Sequence, residues 1–464
     1  MFKLNKRLGP WSFYREALAI AMPVMMQSFI MSMVSLIDNF MVAGLGDVSM
    51  AAVNVTNHLF FIFIVIINVI CQAGGIYIAQ FRGAGDTEGM KHAYRFKIIF
   101  TAAIAAFAFI LCRIFSGPMV AILTMSNASQ EEIVAVGSQY LRLITWTFLP
   151  VAVSSSIGTS FREIAKPKIP LIISVFATSI NTLGNWILIY GNLGAPRMET
   201  AGAAYATIIA RTFELAAFLF YAAWSKAPFF VGFTKRLLRV NKRLIREILG
   251  KSGMIFGSEL SWIGAETIMV AMYNRRGGAE VVAGMAAGWT IANIFFIFFG
   301  GIWTTSTILV GGALGAGKLD DARRRAGWLK SGVVAVSSLI MLPGALISYL
   351  IIPLVFFNLS EAARANCLGL VVVILAYLPV WSLINVQFSI SRAGGDAAAG
   401  MYADVSVHTL LFIPGAFILS YYTEIGPVLM FAVLKLTEFV KYFIMRYFLR
   451  KERWIKNLAV YRKT

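Results

Sequence analysis

PVMMQSFIMSMVSLIDNFMVAGLG (residues 23–46) is a run of membrane-spanning length whose single charged side chain is Asp38. A carboxylate at the centre of a bilayer costs about 2.5–3.5 kcal/mol even on insertion scales, so such a residue faces a polar interior and handles an ion, a proton or a substrate. Two expectations follow. The chain crosses a membrane as helices, and polar groups on other helices meet Asp38.

Composition agrees with the first. The 464-residue chain is 59% hydrophobic and 14% charged, a balance few soluble domains of this length tolerate. About twelve apolar stretches are each long enough to cross ~30 Å of hydrocarbon as a helix. They lie near residues 17–43, 51–80, 96–116, 137–160, 169–191, 200–224, 252–274, 283–311, 330–356, 368–391, 401–421 and 426–448. The first is too long for a signal-peptide core and has no small-residue cleavage pattern, so no removable leader is expected. Cys71, Cys112 and Cys367 fall in or beside apolar stretches and are read as packing residues, not as a disulfide framework.

The net charge of +19 is topological. One set of connections carries Arg82, Lys91, Arg95, Arg162, Lys166, Lys168, the segment from Lys226 to Lys251, Lys318, Arg323, Arg324, Arg325 and the tail from Arg446 to Lys463. The opposite set holds Arg113, Arg197, Arg275, Arg276 and Arg364. By the positive-inside rule both termini are expected in the cytoplasm, in a plasma or bacterial inner membrane. The basic excess then serves topology and contact with anionic membrane lipids, and no nucleic acid is expected as a partner.

Divided at the basic connection 225–251, the chain has two halves that echo each other. RGAGD (82–86) returns as LGAGK (314–318), and SFREIAKPK (160–168) returns as SISRAGGDA (389–397). Arg211 and Glu214, three apart, return as Lys435 and Glu438. Weak internal symmetry on this scale marks a transporter built from two related bundles. The expected fold is all-α and polytopic, with twelve transmembrane helices in two pseudo-symmetric six-helix lobes. The lobes are placed at 1–224 and 252–448, with a basic linker at 225–251 and a basic tail at 449–464.

The sequence resembles the multidrug and toxic compound extrusion (MATE) family along its whole length. The likeness is carried by Asp38 with the VAGLG exit, IYIAQFRGAGD (76–86), NTLGNWILIYG (181–191) and AGAAYATIIAR (201–211). Glu259, RAGGD (392–396) and LKLTEFVKYFIMRYFLRKERWIKNL (434–458) complete it. The resemblance implies two six-helix lobes about a central cleft and export of organic, mostly cationic compounds against entry of Na⁺ or H⁺. It also implies an acid on the first helix with polar partners on the fifth and sixth. Some members carry a second acid where this chain has Asn185, which leaves one negative charge fewer and keeps proton coupling open.

The residues give the same positions by spacing. Ser174, Thr178, Asn181 and Asn185 recur at helical intervals and form one polar stripe. With the topology above, Asp38, Asn181, Asn185, Thr207 and Tyr140 fall at similar depth in the outer half of the membrane. Together they are the expected coupling site. The oxygens of Asp38, the two amides and Thr207 suit Na⁺, while burial lets the same carboxylate carry a proton. The bland alternative is a hydrogen bond between helices.

Glu259 and Glu266, seven apart, share a face near Trp262. They form either a second acidic site facing the cleft or pairs with basic side chains. Gln27, Asn293 and Asn385 are further candidates for the substrate cleft, since a buried amide needs a partner. Structural charge pairs are expected for Arg211 with Glu214, Lys435 with Glu438, and Asp404 with Lys441.

No Walker pattern follows the GAGD and GAGK turns, so no nucleotide is expected. His58, His92 and His408 share no motif spacing, and there is no HExxH. No catalytic residue, cofactor or bound metal is expected beyond the coupling ion, and the protein is read as a monomer and not an enzyme. A lipid-linked oligosaccharide flippase is the competing transporter reading, and it would show a basic cleft. A membrane-embedded enzyme is the competitor of another class.

Overall fold

The computed structural model describes residues 8–125, 129–232 and 241–460, so the expected linker at 225–251 and tail at 449–464 lie partly outside it. Among the described residues the chain is helical throughout its ordered elements. The helices are α1 (Trp11–Ala43), α2 (Asp47–Gly83), α3 (Thr87–Leu123), α4 (Gln130–Glu163), α5 (Lys168–Tyr190) and α6 (Glu199–Trp224). They continue as α7 (Lys242–Asn274), α8 (Ala279–Gly315), α9 (Leu319–Val355), α10 (Glu361–Ala393) and α11 (Ala397–Tyr422). The last, α12, comes in two pieces, Pro427–Lys435 and Thr437–Arg450. Among the described residues ten helices are long and apolar enough to cross a membrane, and α7 and α12 complete the twelve expected. Each expected span lies inside one of them or overruns its end by one residue, the last across both pieces of α12.

The chain forms two compact units. The first holds Met26–Arg82 and Asp86–Leu249; the second holds Met1–Met25, Gly83–Gly85 and Gly250–Thr464. The start of the chain therefore differs from the lobe expected at 1–224, because α1 divides at Met25 between the units. Within the second unit Phe13 packs its ring 5.1 Å from Trp328, and the Tyr14 hydroxyl donates to the Trp328 carbonyl at 3.3 Å. The division falls just after Pro23, which has no N–H to give the carbonyl four residues back and so weakens the helix there.

The echoed motifs turn out to be one helix-ending device used four times. After α2, Gly85 takes φ +69° and the Asp86 N–H reaches back to the Phe81 carbonyl at 2.9 Å. Gly317 and Gly395, at φ +75° and +81°, do the same with Lys318 to Ala313 (3.0 Å) and Asp396 to Ser391 (2.9 Å). Such left-handed caps satisfy the carbonyls of the last turn. Asp86 then caps the next helix, its side chain accepting from the Gly89 N–H at 2.8 Å.

The fourth case, after α4, places Ala165 at φ 58°, with Lys166 N–H on the Phe161 carbonyl at 2.9 Å. A Cβ in this conformation costs roughly 1–2 kcal/mol. Ala165→Gly is therefore expected to raise stability by about 1 kcal/mol, read as a higher midpoint of thermal unfolding in detergent.

Candidate functional site

The first unit encloses a cavity of about 390 Å³. Asp38, Asn181, Asn185, Thr207 and Tyr140 all line it, on α1, α5, α6 and α4, so the five residues expected to share one site are brought together. Asn185 Nδ2 donates to Asp38 Oδ1 at 2.8 Å, and Asn181 Nδ2 donates to Thr207 Oγ1 at 3.2 Å. These bonds leave the amide oxygens free to face a cation. Asn185 is 2% exposed, and its buried Oδ1 has no hydrogen-bond donor. An orphaned buried acceptor costs about 1–3 kcal/mol unless something meets it.

Asp38 has an amide but no base. Among the described residues the one cation in its cavity wall, Arg211, is 2.7 Å from Glu214. The α6 pair expected from spacing is thus formed, and among the described residues Asp38 has no base within 4.0 Å. Asn57 on α2 also faces the cavity. The sequence reading missed it, although an amide inside an apolar span is itself a signal.

Gln27, expected in the substrate cleft, is held by hydrogen bonds inside the first unit. It is 6% exposed and lines neither polar cavity described here. Its Nε2 donates to Ser174 Oγ at 2.7 Å, and its Oε1 accepts from Arg162 at 2.7 Å. Ser174 donates onward to Glu214 at 3.0 Å. A buried polar chain therefore runs from Arg162 to Arg211 inside the first unit. A single amide in a span says only that it needs a partner, not which one, so these partners were not legible in the sequence.

A second buried pair was not anticipated. Lys97, fully buried on α3, reaches Glu163 at 3.0 Å, Thr159 at 2.7 Å and Ser160 at 3.0 Å. Any side chain at position 75 would collide with Glu163, so Gly75 makes the room for it. Lys97 lay at the edge of an apolar stretch, where a lysine reads as a topological charge.

The second unit has its own cavity, of about 340 Å³. Glu259, Trp262, Glu266, Asn293 and Asn385 line it, so these five cleft candidates share one void inside the unit. Its acids are paired. Glu259 lies 3.7 Å from Arg392, Glu266 lies 2.5 Å from Lys435, and Lys441 lies 3.1 Å from Asp404 and 3.3 Å from Glu438. Ser258 links the groups, accepting from Arg392 at 3.3 Å and donating to Asp404.

The expected Asp404–Lys441 pair is formed; the expected Lys435–Glu438 pair is not. Each residue has another partner: Glu438 is held by Lys441 at 3.3 Å, and Lys435 turns to Glu266. The Lys435 ammonium instead sits 5.0–5.1 Å from the rings of Trp381, Phe412 and Phe431, with Glu266 as its counter-ion. Aromatic faces attract a desolvated cation. Glu266 therefore takes the pairing alternative, and so does Glu259.

His408, which no motif singled out, joins this network. Its Nε2 is 3.2 Å from Lys441 and its Nδ1 is 2.9 Å from Ser261. An ammonium can only donate, so Nε2 is the acceptor and Nδ1 carries the proton. The ring sits in a π-helical turn, His408–Phe412, of α11. Such turns re-aim side chains and recur at functional sites.

The two cavities contrast sharply. In the second unit every acid in the cavity wall has a base within 4.0 Å. In the first, among the described residues, Asp38 is the one acid in the wall and has no base within 4.0 Å.

Comparison with known proteins agrees with this architecture. The MatE family model matches twice, at residues 23–187 and 255–418, once in each half of the chain. A probable multidrug resistance protein NorM from Synechococcus is 25% identical over 395 residues, covering 83% of this chain and 81% of that one. The NorM relative from Geobacillus kaustophilus is 25% identical over 328 residues, 68% of each chain. Among solved structures, the Vibrio cholerae MATE transporter VcmN, in a mutant form, superposes with a TM-score of 0.83 at 16% identity, over 96% of this chain and 98% of that one. With its repeated halves, its twelve helices and a family match over most of its length, the chain belongs to the MATE family of membrane transporters.

Proposed function

We propose that this protein is a multidrug efflux antiporter that exports organic, mostly cationic compounds in exchange for Na⁺ entering at Asp38. The observation that carries this reading is the pairing state of the first cavity. Asp38 is held by Asn185 alone, and the buried Asn185 Oδ1 beside it has no donor. One carboxylate with amide and hydroxyl oxygens offers hard ligands and a single negative charge. No cluster of three or more His, Cys, Asp or Glu exists among the described residues, which fits a monovalent ion better than a divalent one. The names of the NorM relatives, multidrug resistance proteins, support the efflux half.

Proton coupling is the second reading, favoured by the same single carboxylate, which a proton neutralises as well as Na⁺ does. The unpartnered Asn185 oxygen serves either ion, as a ligand for Na⁺ or as the acceptor of a proton on Asp38; the set of hard oxygen ligands around the carboxylate is what favours Na⁺. Either ion gains about 2.3 kcal/mol per 100 mV on entering a cell negative inside. Transport then follows if ion-bound and substrate-bound proteins favour opposite access states.

Export of a fluorescent organic cation from proteoliposomes tests the reading, with an inward Na⁺ gradient in one arm and an inward pH gradient in the other. Efflux under the Na⁺ gradient is expected. Efflux under the pH gradient alone would assign the proton, and no gradient-dependent efflux of several cations would overturn antiport.

A further inference from the structure

Away from both polar cavities, the second unit carries a third void of about 330 Å³, walled by the start of α9, the end of α10 and the end of α12. Arg323, Lys330, Arg446 and Arg450 line it, against the single acid Glu452. That acid is already taken. Arg323 holds Glu452 through two bonds, at 2.8 and 3.0 Å, and Asp320 through a third at 2.6 Å. The pair of hydrogen bonds from Arg323 keeps the Glu452 carboxyl below its ordinary range, so it stays charged and committed to Arg323.

Lys330, Arg446 and Arg450 remain. Among the described residues none of the three has a carboxylate within 4.0 Å, and Arg446 donates only to the Tyr442 hydroxyl at 3.2 Å. Three cations around one void repel each other unless an anion occupies it. Gln387, 3% exposed, also lines the void, and its Oε1 lacks a donor. The walls thus offer charge for an anion and one buried acceptor for a hydroxyl or amine carried by the same ligand.

Location narrows the chemistry. The void opens where α9 begins and where α10 and α12 end, on the side of the basic connections. Trp454 forms part of its wall, its indole N–H on the Leu449 carbonyl at 3.2 Å. Basic pockets between transmembrane helices on that side suit acidic lipid headgroups, and guanidinium groups match phosphate oxygens in geometry.

We propose that this void is a phosphate-binding site, filled by the headgroup of an anionic phospholipid and held by Lys330, Arg446 and Arg450. The full chain in detergent, titrated calorimetrically, tests this with three probes: dihexanoyl phosphatidylglycerol, dihexanoyl phosphatidylcholine and inorganic phosphate. Saturable binding of the phosphatidylglycerol is expected, weakened at least roughly tenfold in Lys330→Gln/Arg446→Gln, a loss of about 1.4 kcal/mol. Lys330→Arg, which keeps the charge, should retain saturable phosphatidylglycerol binding. The double variant should melt no lower than wild type without lipid, since it removes like charges.

Arg450→Gln, at an exposed position, should weaken binding in the same direction and serves if the double variant fails to fold. Binding of inorganic phosphate with the same dependence on these residues keeps the site and assigns a soluble phosphate as its occupant. Undiminished phosphatidylglycerol binding by the variants, or equal binding of phosphatidylcholine, overturns the proposal.

Discussion

Asp38→Asn is expected to cut ion-driven export by roughly a hundredfold while the protein stays folded, the loss that about 2.7 kcal/mol of ion binding carries. The amide matches the carboxylate in shape and keeps a polar group in the cavity beside Asn185. Stability should therefore move by no more than about 1 kcal/mol. What disappears is the charge, and with it the group that can take up a cation. Glu259→Gln makes the contrast. That carboxylate already has Arg392 at 3.7 Å, so its loss should shift affinity for organic substrates more than the coupling ratio. Efflux measured in proteoliposomes for both variants separates the two. If Asp38→Asn exports at the wild-type rate and Glu259→Gln does not, coupling belongs to the second unit.

Lys97→Met should be the most destabilising single change in the first unit outside its apolar core, at about 3–5 kcal/mol. Lys97 is completely buried, and its ammonium is met by Glu163, Thr159 and Ser160. Removing it strands the Glu163 carboxylate beside Gly75, in a space shaped to fit it. The double change Lys97→Met/Glu163→Gln should recover much of the loss, because two neutral groups no longer leave a charge unpaired. Thermal unfolding in detergent compares the variants. A double variant no more stable than Lys97→Met would mean that the lysine acts through packing and its hydroxyl partners, not through Glu163.

Much of this architecture is legible in the residues. Spans of 20 apolar residues need no tertiary information, and the twelve helices lie where hydropathy puts them. The first cavity was legible too, since Ser174, Thr178, Asn181 and Asn185 share a helix face and the topology fixes their depth next to Asp38. The legible part ends where partners come from distant segments. Lys435 and Glu438 have the spacing of a helical pair, yet Glu438 goes to Lys441 and the partner of Lys435 is Glu266, on α7. Gln27 and Lys97 carry no local signal of Arg162 or Glu163. The division of α1 at Met25 likewise depends on what each end of the helix packs against, although Pro23 marks the weak point.

Binding of ²²Na⁺ to the purified protein tests the central claim most directly. The account predicts one saturable site per chain, absent in Asp38→Asn, weakened in Asn185→Leu and unaffected by Glu259→Gln. Saturable Na⁺ binding that persists in Asp38→Asn, or no binding in a wild-type protein that exports substrate under a Na⁺ gradient, would contradict it.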